Sequence, residues 1–320
     1  MTRDTNDYFS LAVSADGNTA ATVQVRTTPN LYVLVGNVFG HGSPQPLPTV
    51  SELSSFGWSE DGTLLLSNLH TLFRARGDGQ NTATLLGDPE GLINDVAPCG
   101  HRYVVFSWAF HGGPSTVNVW RANADGSNPK QLTGGPSSRF PTCTPNGKWV
   151  YYVPLGWNLP ALMRMPTEGG PAELVPGAGM RSVSLSAGEF SHDGRVLVFR
   201  TEIIGQANQS TENKLLLLDT SAASAGTIHW YYFKGSLICP PQAHGPVHFV
   251  PGEKAVAYPI RDKDVDNIWV QPLDGSAGHQ ITDFSTGHIN DFHRSPDGKL
   301  LAVLHVQYSA DVVPLRDSKP

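Results

Sequence analysis

The chain is short of charge, of cysteine and of long apolar runs. Charged side chains make up 16 % of its 320 residues, below the roughly 25 % usual in soluble domains. The 22 basic and 28 acidic residues give a net charge of −6. No basic groove is on offer, which argues against nucleic acid as a partner. No apolar stretch reaches the roughly 18–20 residues of a membrane span, so no membrane insertion by this segment is expected. The opening Met1-Thr2-Arg3-Asp4-Thr5-Asn6-Asp7 lacks the apolar core of a signal peptide. Three cysteines, Cys99, Cys143 and Cys239, form neither a CxxC pair nor an even disulfide set, and all three are expected to be small buried residues. Glycine and proline are plentiful, with 33 and 25 residues, and 39 % of the chain is hydrophobic. Such a chain turns often and still fills a sizeable core, which points to an all-β globular domain rather than a helical bundle or a disordered tail.

One pattern recurs: a strand-like run, a tight turn, then a second run rich in β-branched and aromatic residues. The turns are Ser14-Ala15-Asp16-Gly17, Ser59-Glu60-Asp61-Gly62, Ala97-Pro98-Cys99-Gly100, Thr144-Pro145-Asn146-Gly147, Ser191-His192-Asp193-Gly194, Val250-Pro251-Gly252-Glu253 and Ser295-Pro296-Asp297-Gly298. Their spacings of 45, 38, 47, 47, 59 and 45 residues bracket the roughly 40–50 residues of a four-stranded propeller blade. Proline presets the first corner, Asp or Asn bonds back to the backbone, and Gly accepts the positive φ that closes a hairpin. The runs that follow, such as Tyr103-Val104-Val105-Phe106 and Leu300-Leu301-Ala302-Val303-Leu304, are nearly continuous in apolar residues, as strands covered on both faces must be. Third strands such as Asn30-Leu31-Tyr32-Val33-Leu34 and Asn267-Ile268-Trp269-Val270 follow, then short fourth ones such as Lys130-Gln131-Leu132-Thr133 and His279-Gln280-Ile281-Thr282.

Seven turns predict a seven-bladed β-propeller of four-stranded antiparallel blades, with six blades as the alternative. The blades fall at roughly 7–50, 51–91, 92–136, 137–180, 181–237, 238–285 and 286–320. The last unit supplies a third strand, Asp311-Val312-Val313-Pro314-Leu315, and no fourth. The ring is therefore expected either to close on an incomplete blade or to belong to a longer chain.

Phrases such as Asn267-Ile268-Trp269-Val270-Gln271-Pro272-Leu273-Asp274-Gly275 and Asp125-Gly126-Ser127-Asn128-Pro129-Lys130-Gln131-Leu132-Thr133 resemble WD40-like, TolB-type propeller repeats. They are most similar to the propellers C-terminal to bacterial serine/threonine kinase domains, notably in acidobacteria. The resemblance implies a non-catalytic binding or sensor propeller for a protein, peptide or small ligand, lying on the extracytoplasmic side of the membrane. No kinase motif lies in this chain: His293-Arg294-Ser295 lacks the Asp that a catalytic loop places after His-Arg. A TolB-like envelope scaffold is a further role the resemblance allows.

Neither a G-x-S-x-G elbow nor an HExxH pair occurs, so no appended hydrolase is encoded and no cofactor is expected. Asp262-Lys263-Asp264-Val265-Asp266 opens like a calcium loop, but Asn267 stands where that loop needs Gly. The position two residues before each turn, on the innermost strand, is occupied by Ala12, Gly57, Asp95, Thr142, Glu189, His248 and His293. Innermost strands line the channel, so Glu189, His248 and His293 form the candidate constellation of three consecutive blades. Two imidazoles and a carboxylate suit a transition metal or, failing that, hydrogen bonds between blades. They define an alternative reading as a metal-assisted channel enzyme. With Asp95 and Arg139 on the channel, and His111 and Trp157 on loops at its mouth, they make up the candidate ligand-binding set.

Overall fold

A computed structural model describes residues 7–35, 44–47, 50–109, 117–135, 137–155, 162–175, 182–185, 188–203, 212–220, 228–229, 245–250 and 252–315. Among them there is no helix, and the strands form six antiparallel sheets. Five follow the order of the chain. The second blade is Ser55–Trp58, Leu64–Ser67, Thr71–Ala75 and Ala83–Gly87; the third is Leu92–Cys99, Tyr103–Ala109, Val117–Asn123 and Lys130–Gln131. The fourth is Ser138–Cys143, Trp149–Pro154, Met163–Pro166 and Glu173–Leu174. In the fifth, Ser182–Leu185 and Glu189–Phe190 share the inner position beside Val196–Ile203, Glu212–Asp219 and Ile228–His229. The sixth is His248–Phe249, Ala255–Asp262, Val265–Pro272 and His279–Gln280.

The remaining blade closes the ring with both ends of the chain. His288–Arg294 is its inner strand and Leu300–Leu315 its second; Ala20–Val35 and Gln45–Pro46, from the other end, complete it. The described strands thus give six sheets, and the expected seventh is absorbed because the first and last repeat units share one. Leu300–Leu315 and Ala20–Val35 pair without a break from Ala20↔Leu315 to Val35↔Leu300. Asp311–Leu315 is therefore a continuation of the second strand and not a third strand. Only half of this ladder lies in the blade. The other half, with Asp7–Val13 paired onto Ala20–Val25, forms a three-stranded ribbon that runs past the end of the second strand, away from the face bearing the ring's turns. Ser14-Ala15-Asp16-Gly17 closes this ribbon, and Ala12 accordingly lies outside the channel.

The remaining Asx-type turns behave as their residues dictate. Gly62, Gly147, Gly194 and Gly298 each donate their N–H to the first residue of their own turn at 2.8–2.9 Å, with φ between 67° and 79°. Six apolar clusters fill six seams, each drawing on two neighbouring sheets. The second strands supply the largest share of the cluster residues; all seven residues of Tyr103–Ala109 are buried, as burial on both faces requires.

Two cysteines depart from expectation. Cys99 and Cys143 form a disulfide with Cα atoms 5.1 Å apart. Each ends the inner strand of its blade, and the packing of these neighbouring inner strands brings residues 44 apart in sequence to bonding distance. Cys239 lies outside the described residues.

Candidate functional site

The inner strands touch their neighbours around the axis, from the second blade through the sixth and back through the closing blade. Where the second and third blades meet, the approach is close: a Cβ on Gly57 would stand 3.3 Å from Pro98 Cδ and 3.4 Å from the Val96 carbonyl oxygen. Further round, the residues picked out by register come together. His248 of the sixth blade directs Nδ1 toward Glu189 Oε2 of the fifth at 3.5 Å and Nε2 toward Asp291 Oδ1 of the closing blade at 3.8 Å. His293 Nε2 stands 3.2 Å from Asp291 Oδ2, and the two imidazole centroids are 4.5 Å apart. Phe292 meets the His248 ring edge-on at 4.7 Å and Phe56 meets His293 at 5.0 Å, so aromatic surface backs both rings.

Sequence reasoning chose Glu189 as the carboxylate that accompanies the two histidines; the structure adds Asp291, 3.8 Å from His248 and 3.2 Å from His293. A bulge between Ile289 and Asp291 shifts the register of the inner strand, after which Asp291 and His293, two apart, share a face. Glu189 stands behind, its Oε2 accepting the Phe249 N–H at 2.6 Å. The signal for Asp291 was the Asp-x-His spacing: both residues lie on the turn side of the bulge in regular pairing, but taking one position per strand passed over it.

The charges are strongly coupled. Burial alone would push the His248 imidazole down, but the pull of Asp291 and Glu189 outweighs it and raises the ring to about 9. Burial works against the charge of Asp291 too, yet His293 and His248 hold its carboxyl well below the ordinary range. Glu189 is lowered in the same way, its desolvation more than offset by His248. His248 is the most enclosed of the four, with a side chain 8 % exposed, and neither of its ring nitrogens has a partner in hydrogen-bond geometry.

A second charged pair lies on the inner strands of the third and fourth blades. Arg139 donates from Nε and Nη2 to the two Asp95 oxygens, both at 2.8 Å. Bulges interrupt both strands, and Asp95 and Phe140 take φ of 51° and 55°, so both segments are bent where the pair forms. His111 and Trp157 lie outside the described residues. The Asp262–Asp266 segment is a hairpin: Lys263 and Asp264 carry positive φ, and buried Asp266 accepts from Arg261 at 2.8 and 3.0 Å and from the Ile289 N–H at 2.8 Å. Its carboxylate faces protein donors, unlike that of a calcium loop.

Neither a family model nor a curated protein matches the sequence. Solved structures do. The chain is similar to a putative TolB from Agrobacterium tumefaciens at 17 % identity, covering 89 % of this chain and 99 % of that one with a TM-score of 0.64. It is similar to an oligogalacturonate lyase in complex with manganese at 11 % identity, covering 94 % and 96 %, TM-score 0.58. It is also similar to a gluconolactonase from Xanthomonas campestris at 14 % identity, covering 94 % and 99 %, TM-score 0.53. Identities this low speak for the fold alone, and the fold they share with this chain is the β-propeller.

Proposed function

We propose that the protein is a binding propeller whose site is the axial channel, and that its ligand is a small polyhydroxylated carboxylate of the sugar-acid class. One observation carries the channel reading: Glu189, His248, Asp291 and His293, from three consecutive blades, converge at one level of the inner wall. Titratable groups this crowded and desolvated are costly to fold and gather where a ligand or a reaction uses them. Arg139 gives two of its five N–H donors to Asp95, and its remaining donors suit a ligand carboxylate. The sugar-acid class is suggested by the neighbours named as an oligogalacturonate lyase and a gluconolactonase.

Calorimetric titration with galacturonate oligomers and with gluconate tests the reading. Saturable one-to-one binding is expected for at least one of them, weakened at least tenfold in Arg139→Ala. Absence of binding across the panel overturns the ligand class, and binding that channel substitutions leave untouched overturns the site.

A second reading, catalysis on the same ligand, is favoured by the two imidazoles and the carboxylate, which can serve as metal ligands or in proton transfer. Conversion of a bound sugar acid, lost in Asp291→Asn, distinguishes it from simple binding. The Cys99–Cys143 disulfide supports an oxidising, extracytoplasmic location. A role as the sensor region of a kinase rests on sequence resemblance alone, and an in-frame kinase domain encoded upstream is its test.

A further inference from the structure

We propose that His248, Asp291 and His293 bind one divalent transition-metal ion on the channel wall, with Glu189 orienting His248 from behind. The three residues each offer a ligand atom, and all three atoms lie within 4.8 Å of one another. An ion with bonds of about 2.1 Å separates its ligands by about 3–4.2 Å, so a contraction of roughly half an ångström completes the set. Two independent features point to a ligand. First, Nε2 of the enclosed His248 ring has no hydrogen-bonded partner, although an unpaired buried polar group is costly. Its Nε2 stands 3.8 Å from Asp291 Oδ1, too far for a hydrogen bond and close enough to share an ion. Second, Glu189 lies on the opposite edge of the ring, 3.5 Å from Nδ1, and is itself anchored by the Phe249 N–H. A carboxylate behind one imidazole nitrogen fixes the ring so that the other nitrogen faces the metal.

Two imidazoles and one carboxylate leave open positions on the ion and suit zinc, manganese or iron; calcium and magnesium prefer all-oxygen cages. The inference deepens the channel-site reading, and it is tested with metal alone. A failed sugar-acid titration therefore leaves it standing, and a failed metal titration leaves ligand binding standing.

The full chain, purified without a polyhistidine tag and stripped with chelator, is titrated with Mn²⁺, Zn²⁺ and Ca²⁺ by calorimetry. One saturable site per chain is expected for manganese and zinc, tighter for zinc, with none for calcium. Asp291→Asn and His293→Gln sit at less enclosed positions than His248 and should keep the wild-type thermal transition while weakening zinc at least a hundredfold. Glu189→Gln should weaken it by about 10–100-fold without abolishing it. No saturable site in the wild-type protein, or a site that both Asp291→Asn and His293→Gln leave unchanged, overturns the proposal.

Discussion

At the turns, single side chains do work that can be read directly from the sequence. Asp297 accepts from the Ser295 hydroxyl at 2.7 Å and from the Lys299 N–H at 3.1 Å. These bonds, with the nearby Lys299 ammonium, hold its carboxyl down at about 2. Asp16, Asp125, Asp193 and Asp274 are lowered by the same kind of bond from a serine and a backbone N–H. A folded value below the unfolded one means stability that is full above about pH 4 and is lost as the pH falls through the folded value. Asn146 occupies the same place in its turn and accepts the Lys148 N–H at 3.0 Å, so an amide keeps the turn without titrating. Asp297→Asn is therefore expected to lose less stability than wild type between pH 5 and pH 2, measured by urea unfolding at each pH. Equal acid sensitivity of the two proteins would count against this account. The site residues were legible for the same local reason: Glu189, His248 and His293 are set by their distance from such a turn. Asp291 was within reach of the same count, two residues further from the turn on the same strand face, but reading one position per strand passed over it.

Among the elements, the seam between the third and fourth blades carries a covalent tie. Cys99–Cys143 and Asp95–Arg139 join the same two inner strands. Closing a 44-residue loop removes chain entropy worth about 4 kcal/mol from the unfolded state, and measured values usually fall at about 2–4 kcal/mol. The double substitution Cys99→Ser with Cys143→Ser, or reduction of the wild type, should lower the urea-derived stability by that amount. The substituted protein should show no further response to reductant. The terminal ribbon is the opposite kind of element. Phe9, Leu11 and Val312 are exposed there, Val312 by 74 %. Alternating strands with a bulge at Ser10 keep the ribbon paired, but little core covers it.

For the molecule as a whole, joining both ends of the chain in one blade makes the ring close on itself. Leu31 from one end and Leu304 from the other are buried in the same cluster as Phe56, Leu64 and Leu66 of the second blade. Truncating either leucine removes contacts that seal the ring, and Leu31→Ala should cost about 2–5 kcal/mol. Val312→Thr, on the ribbon, should stay within about 0.5 kcal/mol of wild type. Equilibrium denaturation followed by tryptophan fluorescence and far-ultraviolet circular dichroism checks both, with coincident transitions expected of a closed ring. A ring that tolerated Leu31→Ala as easily as Val312→Thr would not be sealed at that blade. The amino-acid sequence by itself determined the doubly covered strands, the all-β class, most of the turns, and the inner-strand positions of Glu189, His248 and His293. Each of these follows from backbone preference or burial pattern within a few tens of residues. Tertiary structure alone decided that the Asp16-Gly17 turn closes a ribbon and not a blade, that the described strands form six sheets, and that Cys99 meets Cys143. Those outcomes depend on pairing between residues far apart in the chain, where the ladder from Ala20 to Val35 outweighs what the local pattern suggests.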